Sequence, residues 1–296
     1  MAAAQLLQYF FAGITEGAIY AIIAIGFNII YNTTGIINFA QGEFLVLGAM
    51  IATSLARVLP LPLAIAGAVA ATMAVGALVD LVFIRWVASP SVLRLVVITI
   101  GVSILLREGM LHTWDEKVRA LRSFTGTEIS SVRILGAYIA PQALWVLGIA
   151  GLIMAALALF FRYTLAGRAM RACAANRLAA RLCGINTRAL VTLSFCLSAG
   201  IGALAGCALS PLTQTQYDQG ASLAIKGFTV AILGGLGNST AAVAAGLLLG
   251  LLESFSVSLL PLAYKDAVSL TVLLVVLFVR PGGLFGRREA QRLREF

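Results

Sequence analysis

Residues Leu144 to Phe161 read "LWVLGIAGLIMAALALFF", a run without a charged side chain or a polar face. A membrane-facing β-strand alternates apolar and polar residues over about ten positions, whereas a helix that is apolar all round belongs in lipid or in a large core. The run is therefore read as a transmembrane helix, because about 20 apolar residues at 1.5 Å each cross roughly 30 Å of hydrocarbon. The whole chain agrees: 60% of its 296 residues are hydrophobic and 11% are charged, with a mean hydropathy of +0.99. Soluble domains do not reach these values. Comparable runs at about 5–31, 37–57, 62–84, 92–112, 142–162, 189–213, 222–236, 240–259 and 266–280 predict an all-α polytopic membrane protein with eight or nine crossings.

The longest polar interval, 113–140, is too short to bury a core of its own, so residues 1–296 are expected to form a single transmembrane domain. The first run begins within a few residues of Met1, with no basic n-region or small-residue cleavage site, and is expected to stay as a span. Cys173, Cys183, Cys196 and Cys207 have no CxxC spacing and fall in or beside helices, so no disulfide is expected. His112 has no partner ligands nearby in sequence, and no metal site is expected either.

Arginine placement sets the orientation, because cytoplasmic loops are enriched in Lys and Arg. The interval from Arg162 to Arg188 also holds Arg168, Arg171, Arg177 and Arg181 with no acidic residue. The tail beyond the last span (281–296) is basic as well, with Arg287, Arg288, Arg292 and Arg294 following Arg280. Both are predicted to be cytoplasmic, and four crossings between Arg188 and Arg280 satisfy that parity. The interval 113–140 carries only a weak basic excess and is assigned to the opposite face. The net charge of +9 gathers at membrane flanks and lacks interleaved aromatic residues, which excludes a nucleic-acid surface.

Two segments carry more than topology. The first, "NTTGIINFAQGEF" (Asn32–Phe44), brings amides, a carboxylate and glycines between two apolar runs. Irregular backbone at membrane depth is tolerated only inside protein or beside a watery cavity. The other reading is a turn in which Asn38 and Gln41 form a capping box. "GIIN" at Gly35–Asn38 returns as "GLGN" at Gly235–Asn238, and Gly-interrupted segments in corresponding halves point to a transporter's binding region. Asn38, Gln41 and Glu43, with Asn238 and Ser239, are therefore the candidate substrate path. Gly202 with Gly206, and Gly246 with Gly250, form GxxxG pairs suited to close helix packing.

The second segment is the basic loop 163–188. Ala169–Cys183 has good helix formers and no proline, Arg177 and Arg181 share a face, and Gly184 is placed to end the helix. The loop resembles the coupling helix of ABC importer permeases, with Arg171, Arg177, Arg181 and Gly184 as ATPase-coupling candidates. The alternative is an interfacial helix on anionic lipid.

Four segments in order widen the resemblance: "EGAIYAIIAIGFNIIYNTTGIINFAQGEFLVLGAM", "AANRLAARLCGIN", "AILGGLGNSTAAVAAGLLLGLLE" and "VRPGGLFG". Together they resemble the permease family of branched-chain amino acid ABC importers over nearly all of 5–286, and more closely its shorter subunit. Where that family usually reads "NFAHGE", this chain has Gln41, and Glu16 stands at a position that is commonly apolar. The resemblance implies a bacterial inner-membrane importer with a second homologous permease, two cytoplasmic ATPase subunits and a periplasmic substrate-binding protein. ATP would be bound by those partners, and this chain would carry no cofactor and perform no hydrolysis. It has no GxxxxGK[ST], GxSxG or HExxH motif. Urea, short amides or aromatic acids are alternative substrates within the family. A rival of another class is a proton-coupled secondary transporter using Glu16, Glu43, Asp80, Glu108 and Glu253.

Overall fold

The first apolar run forms α1 (Ala3–Thr34), and the chain then turns through Gly35, whose φ of +73° suits a residue without a Cβ. The computed structural model describes residues 3–87, 91–126, 130–134, 137–261, 264–280 and 282–285. In order follow α2 (Gln41–Leu55), α3 (Leu61–Val79) with a π-helical continuation (Asp80–Ile84), α4 (Val92–Trp114), β1 (Val132–Ile134), β2 (Ala137–Ile139) and α5 (Pro141–Tyr163). Then come α6 (Leu165–Ala175), α7 (Arg177–Leu182), α8 (Thr187–Thr213), α9 (Gly220–Gly234), α10 (Ser239–Ser256) and α11 (Lys265–Val279). Every apolar run of the sequence is a helix. The antiparallel β1–β2 hairpin, with Arg133 opposite Tyr138, lies in the polar interval and departs from the purely helical expectation.

Among the described residues, five helices are long and apolar enough to cross a bilayer: α1, α3 with its π-helical turn, α5, α8 and α10. α2 and α9 have 15 residues each, about 22 Å of helix against roughly 30 Å of hydrocarbon. Both are shorter than a full span, and where they begin follows from their contacts.

The bundle has two distinguishable ends. At one, Thr33 near the end of α1 donates to Ser194 near the start of α8 at 2.8 Å, and α6 and α7 lie beside them. This is the arginine end. At the other, Trp114 at the end of α4 donates to Ser54 at the end of α2 at 2.6 Å. The N-terminus of α2 meets α8 at Ser198 and α4 at Ser103, both midway along their helices. α2 therefore begins inside the bundle and runs to the far end. α9 begins against the start of α2 and runs to the arginine end, where Gly237 N donates to Asn28 Oδ1 at 2.9 Å and Asn32 Nδ2 donates to the Gly237 carbonyl at 3.0 Å.

Both GxxxG pairs pack within this chain. Gly246 and Gly250 on α10 face Gly17 and Gly13 on α1, backbone against backbone. Gly206 faces the Leu45 carbonyl of α2 and Gly202 faces Phe44. After α11, Leu284 N donates to the Leu233 carbonyl at 2.8 Å, which ties residues 282–285 to the end of α9. The tail from 286 onward lies outside the described residues. Cys173, Cys183, Cys196 and Cys207 are free thiols.

Candidate functional site

Asn38, Gln41 and Glu43 come together at the inner start of α2, each fully buried. The capping-box reading does not match this geometry. The N-cap of α2 is Ala40, with no side-chain cap; Asn38 Oδ1 instead accepts from Ala40 N at 3.2 Å, closing a local turn. Gln41 turns away from α2 to α8, donating from Nε2 to the Ser198 carbonyl at 3.2 Å and accepting from Ser198 Oγ at 2.5 Å. Ser198 Oγ is also 2.9 Å from the Gly26 carbonyl on α1, so one amide links three helices.

Glu43 Oε1 accepts from Ser103 Oγ at 3.0 Å, while Glu43 Oε2 and Asn38 Nδ2 have no hydrogen-bond partner among the described residues. The carboxylate rests against Gly220, the first residue of α9, and Gly42 meets the Gly220 carbonyl; a Cβ on either glycine would collide with the other helix. Two half-helices thus start at one buried point and run toward opposite ends. Each helix N-terminus carries roughly half a positive charge, so the junction favours an anionic group between them. Half-helices that break at a common depth are the arrangement by which transporters form binding sites. Beside the junction the Phe39 ring centroid is 5.5 Å from that of Phe228, and Phe27 is 6.1 Å from Phe228.

Asn238 and Ser239 are not part of this group. Asn238 is exposed at the arginine end and caps α10, accepting from Ala241 N at 3.2 Å and Thr240 Oγ1 at 2.8 Å. The "GIIN" and "GLGN" segments therefore occupy different settings: Asn38 is buried at the inner start of α2, Asn238 surface-exposed at the start of α10.

The basic loop differs from the single helix expected over Ala169–Cys183. It breaks at Asn176, which has extended dihedrals and accepts from Ala179 N at 2.9 Å, so α6 ends and α7 starts there. Asparagine favours this N-cap role over a helix interior, which explains the break. Arg171 consequently belongs to α6, while Arg177 and Arg181 belong to α7. Gly184, at φ +82°, ends α7: its N–H donates to the Arg181 carbonyl at 3.0 Å and that of Ile185 to the Ala180 carbonyl at 3.1 Å, a Schellman pattern.

Sequence reasoning missed a second polar group. Glu253 on α10, fully buried, accepts from Tyr20 Oη at 2.8 Å, from Ser269 Oγ, and from Lys226 Nζ at 3.4 Å. Lys226 also pairs with Asp266 at 2.8 Å, and Lys265 with Glu16 at 2.5 Å. The acidic residues of the proton-relay alternative are therefore dispersed. Glu16 and Glu253 are held in this ionic network, Glu43 lies at the junction, Asp80 at the arginine end, and Glu108 on the exposed side of α4.

A family profile described as "Branched-chain amino acid transport system / permease component" matches residues 9–277. The chain belongs to this permease family. It is 35% identical to the high-affinity branched-chain amino acid transport system permease protein LivH of Salmonella typhimurium, with 97% of each chain covered. It is 33% identical to the corresponding protein BraD of Pseudomonas aeruginosa, covering 97% of this chain and 98% of that one. Among solved structures it resembles PsaBC from Streptococcus pneumoniae in complex with Fab, with a TM-score of 0.52 over 95% of this chain and 94% of that one; at 10% identity this likeness concerns the fold alone. The protein is thus a multi-pass membrane permease, a translocation component and not an enzyme.

Proposed function

We propose that this permease is the shorter of two homologous membrane subunits in a binding-protein-dependent importer, and that it carries branched-chain amino acids past the junction of α2 and α9. The observation that carries this reading is the buried meeting of two half-helix N-termini around Glu43, whose Oε2 has no partner among the described residues. An amino acid crossing at hydrocarbon depth must exchange water for protein at both of its charges, and an unpaired polar group there costs several kcal/mol or more. The two N-termini suit its carboxylate, and Glu43 suits its ammonium. Phe39, Phe228 and Phe27 offer the branched side chain an apolar contact. Asn38 and Gln41 line the same junction, while Asn238 and Ser239 belong at the mouth of the route at the arginine end. The names of LivH and BraD support this substrate class.

In this reading two cytoplasmic subunits bind and hydrolyse ATP and dock on α6 and α7 through Arg171, Arg177 and Arg181. A periplasmic binding protein delivers the solute at the far end, and the arginine end with the C-terminal tail faces the cytoplasm of a bacterial inner membrane. The lack of acidic residues from Arg162 to Arg188 supports that orientation. The test is uptake of labelled leucine, isoleucine and valine by cells that express the assembled importer and have no other route. Uptake should require ATP hydrolysis, survive a protonophore, and resist competition by urea, acetamide and aromatic acids. Transport of one of these in place of leucine would replace the substrate assignment, and dependence on the proton gradient alone would replace the class.

A further inference from the structure

A cavity of about 130 Å³ opens at the arginine end, between the π-helical turn after α3, the start of α4, α7 and the start of α8. Much of its lining is apolar, with Ile36, Ile84, Val87, Leu95 and Val191 beside Thr34. Arg85, Arg177 and Arg188 line it as well, and among the described residues none of these three forms an ion pair. One carboxylate faces them: Asp80, 2% exposed, whose Oδ2 accepts from Thr192 Oγ1 at 2.6 Å. Arg85 Nη2 donates to the same hydroxyl at 3.2 Å. Three guanidinium groups against one carboxylate leave two positive charges uncompensated beside a greasy wall. That combination disfavours a small hydrated ion and favours an anion attached to an apolar body. Close in sequence to the lining residues Arg85 and Leu95 are two large apolar side chains, Trp86 and Leu93, which are 79% and 76% exposed, and tryptophan marks the membrane–water boundary.

We propose that this cavity binds the phosphate of an anionic phospholipid headgroup, with the acyl chains lying along Trp86 and Leu93. Arginine matches phosphate with paired N–H donors, and basic pockets between spans at the interface recognise such headgroups. A lipid held there would join the α3–α4 hairpin to α7 and α8. The site rests on the membrane-spanning fold and not on the substrate reading. Free phosphate shares the recognition chemistry, so the test must separate the two sources.

The intact importer, or the permease pair alone, would be reconstituted with equal phosphatidylglycerol and phosphatidylcholine, stripped with detergent, and its retained lipid counted by native mass spectrometry. At least a five-fold excess of phosphatidylglycerol is expected. The Arg85→Gln, Arg177→Gln, Arg188→Gln triple variant should lose that excess, and the Arg168→Gln, Arg171→Gln, Arg181→Gln variant, with equal charge removed outside the cavity, should keep it. Should the first triple variant not assemble, Arg85→Gln and Arg188→Gln singly should each lower the excess by at least two-fold. Arginine-dependent binding of millimolar inorganic phosphate that displaces the lipid would assign the site to a soluble anion. Equal retention by all variants or no preference for phosphatidylglycerol would overturn the proposal, as would loss of the ATPase subunits from the Arg85→Gln, Arg177→Gln, Arg188→Gln variant with its lipid retention intact.

Discussion

Gly206 and Gly148 are both helical glycines, yet the structure assigns them opposite fates. A Cβ on Gly206 would collide with the Leu45 carbonyl, whereas one on Gly148 meets nothing within 4 Å. Gly206→Ala should therefore destabilise the permease by roughly 1–3 kcal/mol, while Gly148→Ala should leave it unchanged or stabilise it by up to about 1 kcal/mol. Thermal denaturation in detergent, followed by size-exclusion chromatography, reads the difference. Lys226 makes a second contrast: it is largely buried and is one of two lysines within 4 Å of the Glu253 carboxylate. Lys226→Met leaves that carboxylate short of compensation and should cost about 3–5 kcal/mol, while Lys226→Met combined with Glu253→Gln should recover much of the loss. The sequence marked Asn38, Gln41 and Glu43 because polar residues between apolar runs stand out along the chain. It did not mark Lys226, because one lysine in an apolar run reads as a span end. What makes Lys226 a core residue is Tyr20 and Glu253, which are far away in sequence. The GxxxG pairs were legible as packing surfaces, but their partners on α1 and α2 were not, since small-residue spacing carries no address.

Hydropathy located every apolar helix but could not separate half-spans from full spans. α2 and α9 are as apolar as their neighbours, and only their contacts, at Ser198, Ser103 and Gly42, fix where they begin. The basic loop was misread for a different reason: helix propensity runs on through Ala174 and Ala175, but Asn176 gains more as a cap than as an interior residue. Asn176→Ala should remove the Ala179 hydrogen bond and weaken α7 by about 1 kcal/mol. At Gly184 a Cβ meets no neighbour within 4 Å, so the cost of Gly184→Val is confined to the backbone at φ +82°, on the order of 1 kcal/mol or more. In the assembled importer both substitutions should lower ligand-stimulated ATP hydrolysis and uptake together, with normal ligand binding by the binding protein. Unchanged hydrolysis in both would remove α7 from the coupling interface.

At the scale of the molecule, the proposed route has two parts: the arginine end of the bundle faces the cytoplasm, and solute passes between two half-helices meeting inside it. Cys183, exposed beside α7, reports on the first part. With Cys173, Cys196 and Cys207 replaced, it should resist an impermeant maleimide applied to intact cells and react in inverted vesicles, while a Lys117→Cys substitution in a cysteine-free chain should show the reverse. The charge asymmetry behind this orientation was legible in the sequence; the meeting of α2 and α9 was not, because it joins residues 42 and 220 without any pairing signal between them. The most direct measurement of the central claim is ATP-driven uptake of labelled leucine into proteoliposomes that contain the complete importer, comparing wild type with Glu43→Gln and Glu43→Ala at matched amounts of assembled complex. Gln keeps the shape and the Ser103 contact but loses the charge, so uptake should fall at least ten-fold in both variants while the complex still assembles; wild-type uptake by Glu43→Ala at equal assembly would contradict the account.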